Sequence, residues 1–109
     1  MKILAIEHDP PNVTEDQFTK PLLVEEAQRA WELYQAGIIR ELYFRADRYE
    51  AVLVLECADV DEARSVLETL PLMREKLIGF ELIPLVAYPG FARLFAPEAT
   101  AIPSETGAQ

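Results

Sequence analysis

One hundred and nine residues, half of them apolar and 27% charged, suit one globular domain with a single core. Ten Lys and Arg stand against 19 Asp and Glu, a net charge of -9, which disfavours nucleic acid and an anionic membrane surface as partners. The lone cysteine, Cys57, excludes an intramolecular disulfide and a cysteine zinc cluster and fits a cytoplasmic location, and the apolar run Ile3 to Ile6 is too short for a signal-peptide core or a membrane span.

Lys2 to His8 reads as a first strand, stopped by Asp9-Pro10-Pro11-Asn12, because proline has no amide to donate to a ladder. Thr14, with Gln17 three residues on, has the pattern of a capping box. The continuous helix is expected to start near Lys20 or Pro21, since proline is tolerated in a first turn. From there to Ala36, Leu23, Ala27, Ala30 and Tyr34 keep helical spacing, with Val24 and Trp31 broadening the stripe. Glu25, Glu26, Arg29 and Glu32 take the opposite face. Gly37 suits the position after the C-cap. Ile38 to Arg45 and Glu50 to Cys57 read as strands, and the short break at Ala46-Asp47-Arg48 makes them an antiparallel hairpin. Asp59 with Glu62 is a second capping pair, opening a helix with the stripe Val60, Ala63, Val66, Leu67 and Leu70. Pro71 is expected to end that helix, with a turn or short helical piece over Leu72 to Leu77. Gly79 to Tyr88 is the final strand, where Pro84 marks an edge or a bulge. Residues 97–109, rich in Ala, Thr, Ser, Pro and Gly, read as a flexible tail, leaving 1–96 as the domain.

The order is that of a ferredoxin-like βαββαβ fold of the α+β class: an antiparallel four-stranded sheet with two helices on one face. Its strands do not alternate cleanly, because Ala51 to Leu55 and the run Ile83, Leu85, Val86 and Ala87 are apolar on both faces. Each such side chain left in water forfeits about 1.5–3 kcal/mol. A second copy packed sheet against sheet is the expected cover, giving a homodimer or higher homo-oligomer of the dimeric α+β barrel kind. The alternative cover is Phe91 to Phe95 folded back over the sheet.

No Gly-rich phosphate loop, nucleophile elbow or His-Glu-x-x-His pattern is present. With His8 and Cys57 as the only notable nitrogen and sulfur ligands, no metal site is expected. Glu7-His8-Asp9 closes the first strand, and His8 could serve as general acid or base near neutral pH, or simply be a solvated strand end. Each strand carries a glutamate: Glu7, Glu41, Glu56 and Glu81. A buried one would have a raised pKa and could move protons; otherwise they are solvated or paired with Arg40, Arg45 or Arg48. Arginine can hold a substrate carboxylate through two parallel hydrogen bonds, and tyrosine can orient a carbonyl, so Arg40, Arg45, Tyr43 and Tyr49 form a candidate binding set. Strand period places Tyr43 and Arg45 on one face and Arg40 on the other. Surface ion pairing is the competing reading for the arginines. Trp31, Tyr34, Phe80 and Tyr88 complete the aromatic set, and helical spacing assigns the first two to the core.

From Gly37 onward the chain resembles the muconolactone isomerase family. The residues that carry this are Gly37, Arg40, Leu42, Arg45, a turn, Tyr49, an apolar strand, an acidic-capped helix, Leu70-Pro71-Leu72 and, after a further strand, Tyr88-Pro89. The family's hairpin glycine is absent near Asp47, and Tyr88-Pro89 stands in place of its His-Pro. The resemblance implies a ferredoxin-like fold, intimate dimers, and a proton shift on an unsaturated lactone bearing a carboxylate, with neither metal nor organic cofactor. In that reading Arg45 holds the anion, with Arg40, Tyr43 and Tyr88 beside it. Tyr49 orients or protonates the substrate, and His8 or Glu7 carries the proton. The competing reading is a non-catalytic dimeric module that binds a small ligand or stabilises an assembly. A polar-lined pocket between helices and sheet would favour the enzyme, and a solid core the module.

Overall fold

Prolines, glycines and caps set most of the element ends. In the computed structural model, which describes residues 1–95, β1 spans Lys2–His8, α1 Lys20–Gln35, β2 Ile39–Phe44, β3 Ala51–Glu56, α2 Val60–Leu67, α3 Pro71–Arg74 and β4 Gly79–Pro84. The expected boundary between domain and tail, after residue 96, lies outside the described residues.

Thr19 caps α1, its hydroxyl oxygen accepting from the Leu22 amide, and Pro21 sits in the first turn. At the other end Gly37 takes φ +79°, the Gly37 amide donates to Tyr34 O and the Ile38 amide to Leu33 O. This is the six-to-one closure that needs a left-handed residue. Thr14 and Gln17 do pair, the Thr14 amide donating to Gln17 Oε1 at 2.8 Å, but they close a separate 3-10 turn over Glu15–Gln17. Asp59 caps α2 through the Glu62 amide at 2.8 Å, while the Glu62 carboxylate reaches the Ala58 amide, one residue before the cap.

Two boundaries differ from expectation. α2 ends at Leu67, before the proline, and Pro71 instead opens α3, where its missing amide has no partner to lose. β4 stops at Pro84 rather than Tyr88: the Leu85 amide still donates to Lys2 O at 2.9 Å, but β1 begins at Lys2, so the residues beyond have no partner strand to pair with, and on this edge strand Pro84 costs the ladder nothing.

The sheet order is β2-β3-β1-β4, antiparallel throughout, with β2 and β4 as its edges. Its register turns Ile3, Ala5, Glu7, Ala51, Leu53, Leu55, Phe80 and Leu82 toward the helices. In β2 the register slips by one residue: Ile39 faces Leu55, yet Glu41 faces Val54. Arg40 is the extra residue of a β-bulge, so Ile39, Leu42 and Phe44 all face the helices while Glu41 and Tyr43 face away.

Ile3, Leu33, Ile39, Leu55, Ala63, Leu67 and Leu70 form the main core. The face that α1 buries is not the predicted one. Leu33 is its one buried residue, whereas Trp31 and Tyr34 are exposed and stack on each other with ring centroids 6.0 Å apart. The reason is position: α1 lies beside edge strand β2, so its far flank overhangs the sheet and walls a shallow groove with Arg40 and Tyr43. On the opposite face of the sheet Leu4, Ile6, Val52, Val54 and Ile83 are half-buried, and no described element covers them. Phe91, Leu94 and Phe95 stay exposed, so this segment does not fold back as a cover.

Candidate functional site

Between α1 and the sheet lies an open cavity of about 1040 Å³. It exists because small residues meet there: Ala27 and Ala30 on α1 look toward Ala51 on β3. Leu42, Phe44, Leu53 and Phe80 make its apolar floor, and the segment from Val13 to Phe18 makes a lip.

Glu7 is the innermost acid. As an inward residue of β1 it is only 9% exposed. Its Oε1 accepts from the Ala51 amide at 2.8 Å. The carboxyl makes no other hydrogen bond among the described residues, and no side-chain oxygen there is both buried and unpaired, so Oε2 opens to the cavity. Burial pushes the Glu7 pKa up. The Ala51 hydrogen bond opposes that shift, and the charges of Asp9, Glu50 and Glu26 reinforce it.

Glu26 enters from α1, where the sequence placed it on the solvent side. Its Oε1 accepts from the Leu72 amide at 2.9 Å, tying α1 to the start of α3. Burial raises its pKa too, against the lowering effects of that hydrogen bond and of Arg74. A signal was available: Leu22, Glu26, Ala30 and Leu33 share one helical face. Asp9 and Glu15 complete the acids that line the cavity.

Tyr49 stands at the mouth, 82% exposed, with its ring centroid 4.5 Å from that of Phe44. Tyr43 lines both cavity and groove, and its hydroxyl donates to Glu41 Oε1 at 2.8 Å, which raises the phenol pKa. The remaining candidates lie elsewhere. His8 follows Glu7 on the strand and so faces away, its imidazole resting over Gly79, where an added Cβ would come within 2.5 Å of His8 Cε1. Arg45 forks onto Asp47, Nε to Oδ1 at 2.9 Å and Nη2 to Oδ2 at 2.7 Å, with Glu50 at 3.7 Å. Arg40 donates to the Gly37 carbonyl and borders only the shallow groove. Tyr88 lies past the end of β4, edge-on to Phe91 at 5.1 Å between centroids. The structure thus puts Glu7 and Tyr49 on one cavity, with Tyr43 at its β2 rim and its hydroxyl turned to Glu41, and leaves His8, Arg40, Arg45 and Tyr88 apart.

The other strand glutamates are solvated or paired. Glu56 binds the N-terminal ammonium at 2.7 Å, Glu41 holds Tyr43, and Glu81 is exposed. Cys57 is buried away from the cavity, and burial raises its thiol pKa. Among the described residues no three His, Cys, Asp or Glu converge as metal ligands, and no helix is long and apolar enough to cross a membrane. An apolar chamber with two carboxyls of raised pKa can exchange protons with a bound carbon acid.

The family described as muconolactone delta-isomerase matches residues 4–90. A crystal structure of muconolactone isomerase at 3.3 Å resolution superimposes with a TM-score of 0.67 at 22% identity, covering 82% of this chain and 92% of that one. That likeness shows a shared ferredoxin-like α+β fold. No curated protein matches the sequence.

Proposed function

The chain belongs to the muconolactone delta-isomerase family, and from that premise we propose that it catalyses a cofactor-independent proton shift on a small unsaturated lactone or carbonyl compound. One observation carries the reading: the Glu7 carboxyl, anchored through one oxygen and open to an apolar cavity through the other. The Glu7 carboxylate removes a proton from a carbon activated by the substrate carbonyl, and the C–H electron pair moves into a dienolate. Glu26, whose pKa burial raises, lines the same cavity and in its acid form hydrogen-bonds the carbonyl oxygen as negative charge grows there. Glu7 then returns the proton to the far end of the conjugated system. One C–H bond breaks, one forms, the double bond moves and no proton is gained or lost. Tyr49 orients the ligand at the mouth. A raised carboxyl pKa suits this role, because a base is most effective when its pKa lies near the working pH.

The test is uptake of solvent deuterium into muconolactone and other small unsaturated lactones, followed by NMR. Glu7→Gln should slow uptake about 10²–10⁴-fold, the range for loss of a general base. Uptake undiminished in that variant would remove Glu7 from the mechanism.

The apolar outer face supports a homodimer formed sheet to sheet around a two-fold axis. Leu4, Ile6, Val52, Val54 and Ile83 would form the centre of the contact. Sedimentation at micromolar concentration should give twice the monomer mass or a multiple of it, and Val54→Asp should return the monomer. A wild-type monomer at that concentration would defeat this assembly.

A further inference from the structure

We infer that the cavity selects an uncharged carbonyl ligand, such as a lactone, ester or enone without a free carboxylate, and disfavours the corresponding anion. This deepens, and rests on, the isomerase reading of the same cavity. The charged groups that line it are all acids: Glu7, Asp9, Glu15 and Glu26. Among the described residues no Lys, Arg or His lines it. The arginines that could have reached a ligand carboxylate are engaged nearby. Arg45 is forked onto Asp47, Arg48 lies 4.0 Å from Glu50, and Arg74 pairs with Glu25 and Glu75. A carboxylate entering here would leave water and gain like charges as neighbours, both unfavourable. The chain's net charge of -9 repels it at longer range as well.

A cationic ligand fits less well than a neutral one. Glu7 and Glu26 each spend one oxygen on a backbone amide, and the walls around them are aliphatic or aromatic. Among the described residues no three acids converge as a metal would need. A neutral carbonyl ligand brings no charge that these walls would have to pair or repel, and its apolar body matches their aliphatic and aromatic side chains.

The experiment pairs muconolactone with its methyl ester, so that the two ligands differ in one charge. Calorimetric binding and solvent deuterium uptake are measured for both at pH 7.5, with an amine analogue of the same ring as a third ligand. The ester should bind at least about tenfold more tightly than the acid, the scale of one charge-assisted contact. Glu15→Lys, which places a cation at the lip, should move the acid-to-ester ratio by about tenfold toward the acid. Selective binding of the ester without exchange would uphold the ligand class and defeat the isomerase reading. Preference for the acid would show that a cation reaches the cavity from elsewhere, and would overturn the inference. Preference for the amine, or binding of none of the three at millimolar concentration, would overturn it too.

Discussion

The two ends of the helix layer sit over the same sheet and are packed oppositely. Beneath α2 the layer is solid: eight residues bury Ala63 and Leu67 against Ile3 and Leu55. Beneath α1 it is hollow: sixteen residues bury only Leu33. Alanine is prominent at both ends, so side-chain size alone does not decide the outcome. At Ala63 the helix settles onto the sheet and the small residue gives close contact. α1 is held at both ends instead, by Leu33 in the main core and by Leu22 in a second cluster with Leu72, Leu77, Ile78 and Phe18. Propped at its ends, it cannot descend, and Ala27 and Ala30 leave space beneath it.

Truncations in the two halves should break this contrast if it is wrong. Leu67→Ala, in the solid half, should cost about 2–5 kcal/mol in urea unfolding, because the close-packed surroundings cannot collapse into the void. Leu42→Ala, on the cavity floor and already near solvent, should cost about 1 kcal/mol or less. Similar losses would mean that the cavity is closed in solution.

Enlargements sharpen it from the other side. Ala63→Leu should destabilise by about 1–3 kcal/mol through overpacking. Ala27→Leu should leave the unfolding midpoint nearly unchanged, since the added atoms enter open space, and should weaken ligand binding. A clear loss of stability in Ala27→Leu would show that α1 lies closer to the sheet.

The smallest effect is on pH dependence. The folded chain raises the Glu7 pKa above its ordinary 4.5, so between those two values the native state binds more protons than the unfolded one. Stability from this group is therefore full at low pH and declines as pH rises through the raised value. Glu7→Gln removes the decline. Thermal unfolding from pH 4.5 upward should show the variant gaining on the wild type as pH rises. The opposite slope would mean that the carboxyl is better stabilised as an anion than burial allows.

The fold was legible because its punctuation is chemical. Gly37 requires a left-handed backbone, Asp59 caps, and Pro71 opens α3 where its missing amide has no partner to lose. The apolar excess on both sheet faces could also be read. The site was less legible for three physical reasons. Apolar residues lie on both flanks of α1, and periodicity could not tell that the sheet ends beneath Trp31 and Tyr34. Arg45 has the chemistry of a carboxylate clamp, but Asp47, two residues away, already fills it. Glu26 looked like one of several surface acids, and its partner, the Leu72 amide, comes from a distant part of the chain. Glu7 and His8 were adjacent candidates that the strand's own alternation separates onto opposite faces.

The bulge at Arg40 makes chain length a variable that the cavity can ignore at one position only. β2 holds one residue more than its ladder uses. Deleting residue 40 would leave Ile39 opposite Leu55 and Glu41 opposite Val54, and every facing would survive, with the groove losing its arginine. Inserting a residue between Glu41 and Phe44 would instead swing part of the cavity floor outward and bring a polar side chain in. A relative whose second strand is one residue shorter at this point can therefore keep the same floor. One that is a residue longer just downstream holds a differently lined chamber within the same fold.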